Sequence, residues 1–178
     1  NSKRKDSKGG PYVPLKIKLD DPRIEDKVSA IFKSVDDIEY YREVMLSVPL
    51  GKPVWSYWVT SRYGTRSDPF KKTKARHKGV DLASRTGNKV NVKGQGKVIR
   101  AEYAGAYGNL VVVDHGNGFQ TKYAHLNKIY VKKGDRLEIN DTVGEVGSTG
   151  RSTGPHLHYE VLFKGVNVDP LPFLKAKI

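Results

Sequence analysis

The chain has 178 residues, 32 Lys and Arg against 19 Asp and Glu, a net charge of +13 and no cysteine. Without cysteine there is no disulfide scaffold, no thiolate metal site and no thiol nucleophile, and no run of ~18 apolar residues is available for a membrane-spanning helix. The length suits one domain with an appendage, and the charge points to a polyanionic surrounding (nucleic acid, an anionic wall polymer or an acidic membrane face) without choosing among them.

Residues 1–10, NSKRKDSKGG, carry no apolar side chain and read as a flexible basic tail. Pro11, Pro14 and Pro22 around Leu15, Ile17 and Leu19 make the rest of 1–23 an extended arm. The chain begins on Asn1 rather than Met, so the lack of a leader sequence carries no information. From Ile24 to Ser47 the apolar residues Val28, Ile31, Phe32, Val35, Ile38, Tyr41 and Met45 recur at helical steps, which predicts an amphipathic helix and linker over 24–49. Pro49, Gly51 and Pro53 end it.

From about residue 50 to 175 glycines and turns recur between short β-branched and aromatic runs, which predicts a mainly β domain. The expected strands are 54–61, 79–83, 97–103, 110–115, 120–126, 142–146 and 156–163, with Gly116-Asn117-Gly118 as a hairpin turn.

All five histidines, His77, His115, His125, His156 and His158, fall in this domain. In the alternating run HLHYEVLF, His156, His158 and Glu160 share one strand face, and Leu157, Tyr159, Val161 and Phe163 the other. Two imidazoles ~7 Å apart along a strand can serve one centre, or simply decorate a solvated face. His77 and Asp81 form an H-x3-D pair in which Asp81 lies between Val80 and Leu82. A partly buried carboxylate there needs a partner or a metal ion, or it caps a turn. Together, His77, Asp81 and one of the H-x-H pair make a nitrogen–oxygen set suited to Zn²⁺ with a water in the fourth position. The remaining His of the pair and His125 would then move protons or stabilise an oxyanion.

These residues sit in stretches that resemble the M23 (LytM/lysostaphin-type) zinc endopeptidases. The stretches are RHKGVDLA, DHGNGFQTKYAHL and GSTGRSTGPHLHYEV, with SRYGTRSDPF upstream and VKKGDRLEINDTVGEVG before the H-x-H. The likeness covers about residues 50–172. It implies a compact antiparallel β-sheet catalytic domain of LytM, or duplicated-hybrid-motif, type behind an N-terminal helical arm. It further implies one Zn²⁺ with a bound water on His77, Asp81 and His158, and His125 and His156 as the catalytic histidines outside the ligand set. It implies hydrolysis of peptide crosslinks in bacterial peptidoglycan. SRYGTRSDPF looks more like Gram-negative members of the family, and that likeness implies D-Ala–diaminopimelate bonds rather than glycyl-glycine bonds. The alternative is a non-catalytic or autoinhibited domain that binds wall or activates an amidase.

Asn109, Arg66 and Tyr63 are candidate substrate contacts, with turn or packing roles as the plainer reading, and His115 reads as structural. The loop with Gly147, Gly150 and Gly154 lacks the Lys-Ser/Thr of a phosphate-binding loop and suits a close approach of backbone to substrate. The expected partners are peptidoglycan peptide stems, together with a membrane anchor or coiled coil and a regulatory partner in a longer protein. No nucleic acid is expected, since no helix-turn-helix or RNP-like motif occurs. The expected location is the bacterial periplasm or cell envelope, or outside the cell. Lys71-Lys72-Thr73-Lys74-Ala75-Arg76 leads straight into His77, so part of the surplus charge is expected at the rim of the site.

Overall fold

The structure is a computed structural model that describes residues 22–67 and 73–176. The tail and most of the extended arm expected over 1–23, and Lys71 and Lys72 of the basic run, lie outside the described residues. The chain divides into two units, one ending at Glu39 and one beginning at Tyr40.

Helix α1 runs Pro22–Ser47, with Glu25 in its first turn. Proline opens a helix at no hydrogen-bond cost, because the first N–H groups lack intrahelical acceptors, and an early carboxylate complements the helix dipole. At the other end the Ser47 hydroxyl donates back to the Val44 carbonyl at 2.7 Å. The helix spans nearly the predicted residues, but Ile31, Phe32, Val35, Ile38, Tyr41 and Met45 are exposed. The periodicity located the helix without finding a buried face for it.

The strands follow in chain order as β1 (Trp58–Ser61), β2 (Gly64–Ser67), β3 (Lys74–His77), β4 (Val80–Ala83), β5 (Lys89–Asn91), β6 (Gly96–Tyr103), β7 (Asn109–Gly116), β8 (Phe119–Leu126), β9 (Lys128–Ile129), β10 (Arg136–Leu137), β11 (Thr142–Glu145), β12 (His156–Phe163) and β13 (Val166–Val168). A short helix, α2 (Leu171–Lys175), comes last. Each of the seven predicted strands is present, the first shortened to β1. The hairpin β2–β3 and the short strands β5, β9, β10 and β13 carried too few residues to show a period.

The main sheet runs β1-β4-β12-β8-β7-β6-β10, with β13 paired to β12. A smaller sheet is ordered β5-β11-β9, and β2 pairs with β3. The strands of the main sheet pair antiparallel throughout. Register fixes what each face carries. Leu157 lies opposite Leu82 and Tyr159 opposite both Val80 and Tyr123, and all of these are fully buried. On the other face His158 lies opposite Asp81 and Ala124, and His156 opposite Ala83. One strand therefore supplies the core with its odd residues and the functional face with its even ones, because strand side chains alternate.

Candidate metal centre and catalytic cleft

His77 closes β3, Asp81 sits inside β4 and His158 inside β12, and the strand pairing brings them to one point. His77 Nε2 lies 3.1 Å from Asp81 Oδ1 and 3.1 Å from His158 Nδ1, and His158 Nδ1 lies 2.8 Å from Asp81 Oδ1. His77, Asp81 and His158 form the metal-capable cluster found among the described residues.

The outer nitrogens decide which atoms face that point. His77 Nδ1–H donates to the Arg62 carbonyl at 2.8 Å, which leaves the Nε2 lone pair facing inward. His158 Nε2–H donates to Glu160 Oε1 at 3.1 Å, which leaves Nδ1 inward. Fixing the tautomer of a ligand histidine through its far nitrogen is how proteins orient metal ligands.

Glu160 is fully buried. Burial alone would raise its pKa, but bonds from His158 and Asn167 and the Lys122 ammonium bring it down to about 2. Lys122 Nζ lies 3.0 Å from Oε2, the Tyr107 hydroxyl donates to Oε1 at 2.8 Å and Asn167 Nδ2 to Oε2 at 2.8 Å. Burial likewise raises Asp81, yet hydrogen bonds from His158 and His77 outweigh it and hold the carboxyl below the usual range. Burial would lower His158, but Asp81 and Glu160 on either side push it up. Two imidazole nitrogens and one carboxylate oxygen, each with its lone pair converging, are the donor chemistry of a catalytic zinc site with one position left open, and the residues fit that ion.

His125 and His156 stand beside the triad, with ring centroids 4.8 Å apart. His125 Nδ1–H donates to the Thr149 carbonyl at 2.8 Å, and His156 Nδ1–H to the Gly154 carbonyl at 2.8 Å. Each thereby keeps Nε2 free, and His156 Nε2 lies 3.7 Å from Asp81 Oδ1. Burial is the main cause that lowers His125 to about 4, with the neighbouring His156 and His158 adding to it and the Thr149 bond opposing it. Its backbone sits at φ 60°, a left-handed conformation that costs a non-glycine residue about 1–2 kcal/mol.

Thr149 is held in place by close backbone contact. A Cβ on Gly108 would lie 2.4 Å from Thr149, and one on Gly150 2.3 Å from the Gly108 nitrogen. The glycines at 147 and 150 thus allow approach to the protein's own chain at Asn127 and Gly108, while Arg151, Ser152 and Thr153 of the same loop line the cleft.

The four histidines and Asp81 line an open cavity of about 390 Å³, with Thr60, Ser61, Arg66, Tyr107 and Arg151 around them. Of the three candidate substrate residues, Arg66 is on that wall, with Nη2 3.5 Å from Asp81 Oδ2. Tyr63 and Asn109 are not among the lining residues. The Tyr63 hydroxyl donates to the Asn167 carbonyl and accepts from Arg76 Nη2, both at 2.8 Å. Asn109 Nδ2 donates to the carbonyls of Leu126 and Asn127, at 2.9 and 3.2 Å. Both side chains are spent on neighbouring parts of the chain: Tyr63 on β3 and β13, and Asn109 at the end of β8. Among the described residues the lining cations are Arg66 and Arg151, and neither Lys74 nor Arg76 of the basic run is one of them. His115 is buried, with Nδ1 2.8 Å from the Gln95 carbonyl and Nε2 2.8 Å from Thr121 Oγ1.

The sequence reading assigned no role to Glu160 and missed Tyr107. The pattern H-x-H-x-E already put Glu160 on the site face, whereas Tyr107, 53 positions away from Glu160, left no sequence signal.

Comparison with known proteins agrees with this geometry. The profile of peptidase family M23 matches residues 75–170, more than half of the chain. The chain belongs to peptidase family M23. Within this family it is 41% identical over 128 residues to the peptidoglycan DD-endopeptidase ShyA of Vibrio cholerae, covering 71% of this chain and 29% of that protein. A zinc-containing peptidase from Vibrio cholerae superposes with a TM-score of 0.61 at 35% identity, over 74% of this chain and 40% of that one. The catalytic domain of lysostaphin from Staphylococcus simulans superposes with a TM-score of 0.62 at 32% identity, over 67% of this chain and 93% of that one. The M23 domain is thus nearly the length of the lysostaphin catalytic domain, while the chain spans under a third of ShyA.

Proposed function

We propose that this M23 domain is a zinc-dependent endopeptidase of the bacterial cell envelope or periplasm that hydrolyses peptide crosslinks of peptidoglycan, at D-Ala–diaminopimelate bonds. The observation that carries the reading is the convergence of His77 Nε2, Asp81 Oδ1 and His158 Nδ1 within 3.1 Å, in an open cavity beside His125 and His156. The name of ShyA, a DD-endopeptidase, supports the bond. The complete ligand set favours catalysis over the wall-binding or amidase-activating alternative.

His77, Asp81 and His158 would hold the zinc ion, which when bound supplies Lewis acidity and a nucleophilic water at neutral pH. His125 and His156 present Nε2 lone pairs into the same space, so either can accept a proton at that atom and pass it to the departing amine. Their Nδ1–H bonds to main-chain carbonyls keep the rings from turning during that transfer. Arg66 and Arg151 on the cavity wall suit a substrate that carries carboxylates.

The test is digestion of purified sacculi by the zinc-loaded chain, with mass spectrometry of the released fragments. The expected products are uncrosslinked, glycan-borne stems newly ending in D-Ala, read after the strands are cut into monomers with a muramidase. Zinc bound without any cleavage would overturn the catalytic reading, and cleavage confined to glycyl-glycine bridges would overturn the bond assignment.

A further inference from the structure

A second cavity, of about 270 Å³, lies away from the cleft, among Lys52, Trp55, Asn88, Lys89, Asn91 and Lys93. Three of its lining residues are lysines and none is acidic. Lys93 donates to Asn140, but Lys52 and Lys89 make no ion pair among the described residues. Trp55 is 95% exposed and Trp58 74% exposed, and the chain contains no other tryptophan. Leaving both indoles in water forgoes their burial, which is the main energetic use of a large aromatic ring.

The register places Trp58 on the catalytic face. Trp58 lies opposite Ala83 on β4, and Ala83 lies opposite His156 on β12. Residues opposite one another in a sheet project from the same face, so the indole stands two strands out from His156. That is a separation of ~10 Å at ordinary strand spacing. The strand β1 that carries it is the outer strand of the sheet. Farther along the same strand, Thr60 and Ser61 line the catalytic cavity. The segment 52–61 therefore links the lysine pocket, the second indole and the cleft, and Trp55 and Ser61 are at most ~20 Å apart along it.

We propose that Trp55, Trp58, Lys52 and Lys89 form a subsite for the glycan strand, whose sugar rings stack on the indoles while the free carboxylates of its stem-free residues meet the lysines. The proposal rests on the peptidoglycan reading, in which the stem peptide in the cleft hangs from such a strand. An aromatic face fits the apolar C–H face of a sugar ring, and the lysines supply point charges for carboxylates. The chain would then hold the strand and its stem at once, and gain effective concentration for the peptide step.

The two tryptophans make the test specific, since all indole fluorescence arises in this subsite. Peptide-free glycan strands, prepared by stripping the stems from sacculi, are titrated into the metal-free full chain. A saturable, salt-sensitive change in emission is expected. Trp55→Ala and Trp58→Ala should each retain part of the signal and each weaken binding about three- to tenfold. The double variant Lys52→Ala/Lys89→Ala should weaken binding and flatten the salt dependence. An unchanged emission would overturn the subsite, as would an equal response to poly-glutamate, which has the charge without the rings.

A second arm uses cleavage. The Trp variants should lose activity on crosslinked dimers that carry their disaccharides and keep it on the same dimers without sugars. Equal loss on both would reassign the indoles to the peptide cleft and overturn the proposal. Binding of glycan by a zinc-loaded chain that cleaves neither dimer would instead sink the endopeptidase reading and leave the subsite standing.

Discussion

His115 and His125 lie on paired strands, β7 and β8, both are buried, and both donate Nδ1–H to a main-chain carbonyl at 2.8 Å. They differ at the other nitrogen. In His115 Nε2 is taken by Thr121 Oγ1 inside the protein, whereas in His125 it faces the cavity beside Asp81, His156 and His158. They also differ in backbone: His125 holds φ 60°, and His115 is an ordinary strand residue. A histidine fully consumed by hydrogen bonds is architecture, while one anchored at a single nitrogen is poised for chemistry. The same test places His156 in the site, whereas His77 and His158 are engaged at both nitrogens and belong to the site because their inner nitrogens converge on Asp81.

The largest effect that would break this contrast belongs to the residues that give the cavity its charge. Asp81→Ala leaves two imidazoles without their shared carboxylate and should abolish both zinc binding, read by metal analysis after dialysis, and crosslink cleavage. Next is His125→Ala, which should lower kcat about 10²- to 10⁴-fold, the usual worth of a general acid–base group, with zinc stoichiometry intact. A variant at wild-type turnover would remove the distinction between the two histidines. His125→Gly sharpens the backbone half of the comparison, because it should unfold at higher denaturant than His125→Ala by about 1 kcal/mol of stability, although both have lost the imidazole.

Glu160→Gln removes the charge behind His158 and should weaken zinc about 10- to 100-fold, in line with other outer-shell changes. The smallest effect on catalysis is expected from His115→Ala. It should cost about 2–4 kcal/mol of stability from lost buried contacts and hydrogen bonds and leave kcat unchanged.

That variant also carries a pH signature. Burial lowers the His115 pKa below its ordinary 6.5, so the unfolded chain takes up a proton before the folded one does. The stability linked to this group is present above pH 6.5 and is lost as pH falls from there through the lower folded value. His115→Ala should flatten that part of the stability profile, measured by denaturant melts at stepped pH.

The long-period features were legible from residues alone. HLHYEVLF divided into core residues (Leu157, Tyr159 and Val161) and site residues because alternation on a strand is strict, but Phe163, expected in the core, is exposed at the strand end. The pairing of His77 with Asp81 was legible from its H-x3-D spacing, although the two residues sit on separate strands, β3 ending at His77 and β4 beginning at Val80. What escaped was set by distant contacts. Tyr63 and Asn109 carry polar groups suited to substrate, and only the fold shows those groups spent on Asn167, Leu126 and Asn127. The exposed stripe of α1 has the period of a buried face, and period alone does not say what covers it.

Central to this account is the convergence of three named atoms on one ion. Crystals of the zinc-loaded chain, with anomalous scattering recorded at the zinc edge, test it most directly. The account predicts a single strong peak bound by His77 Nε2, Asp81 Oδ1 and His158 Nδ1, with His125 and His156 outside bonding distance. A peak coordinated through His158 Nε2, or centred on the His125–His156 pair, would contradict it.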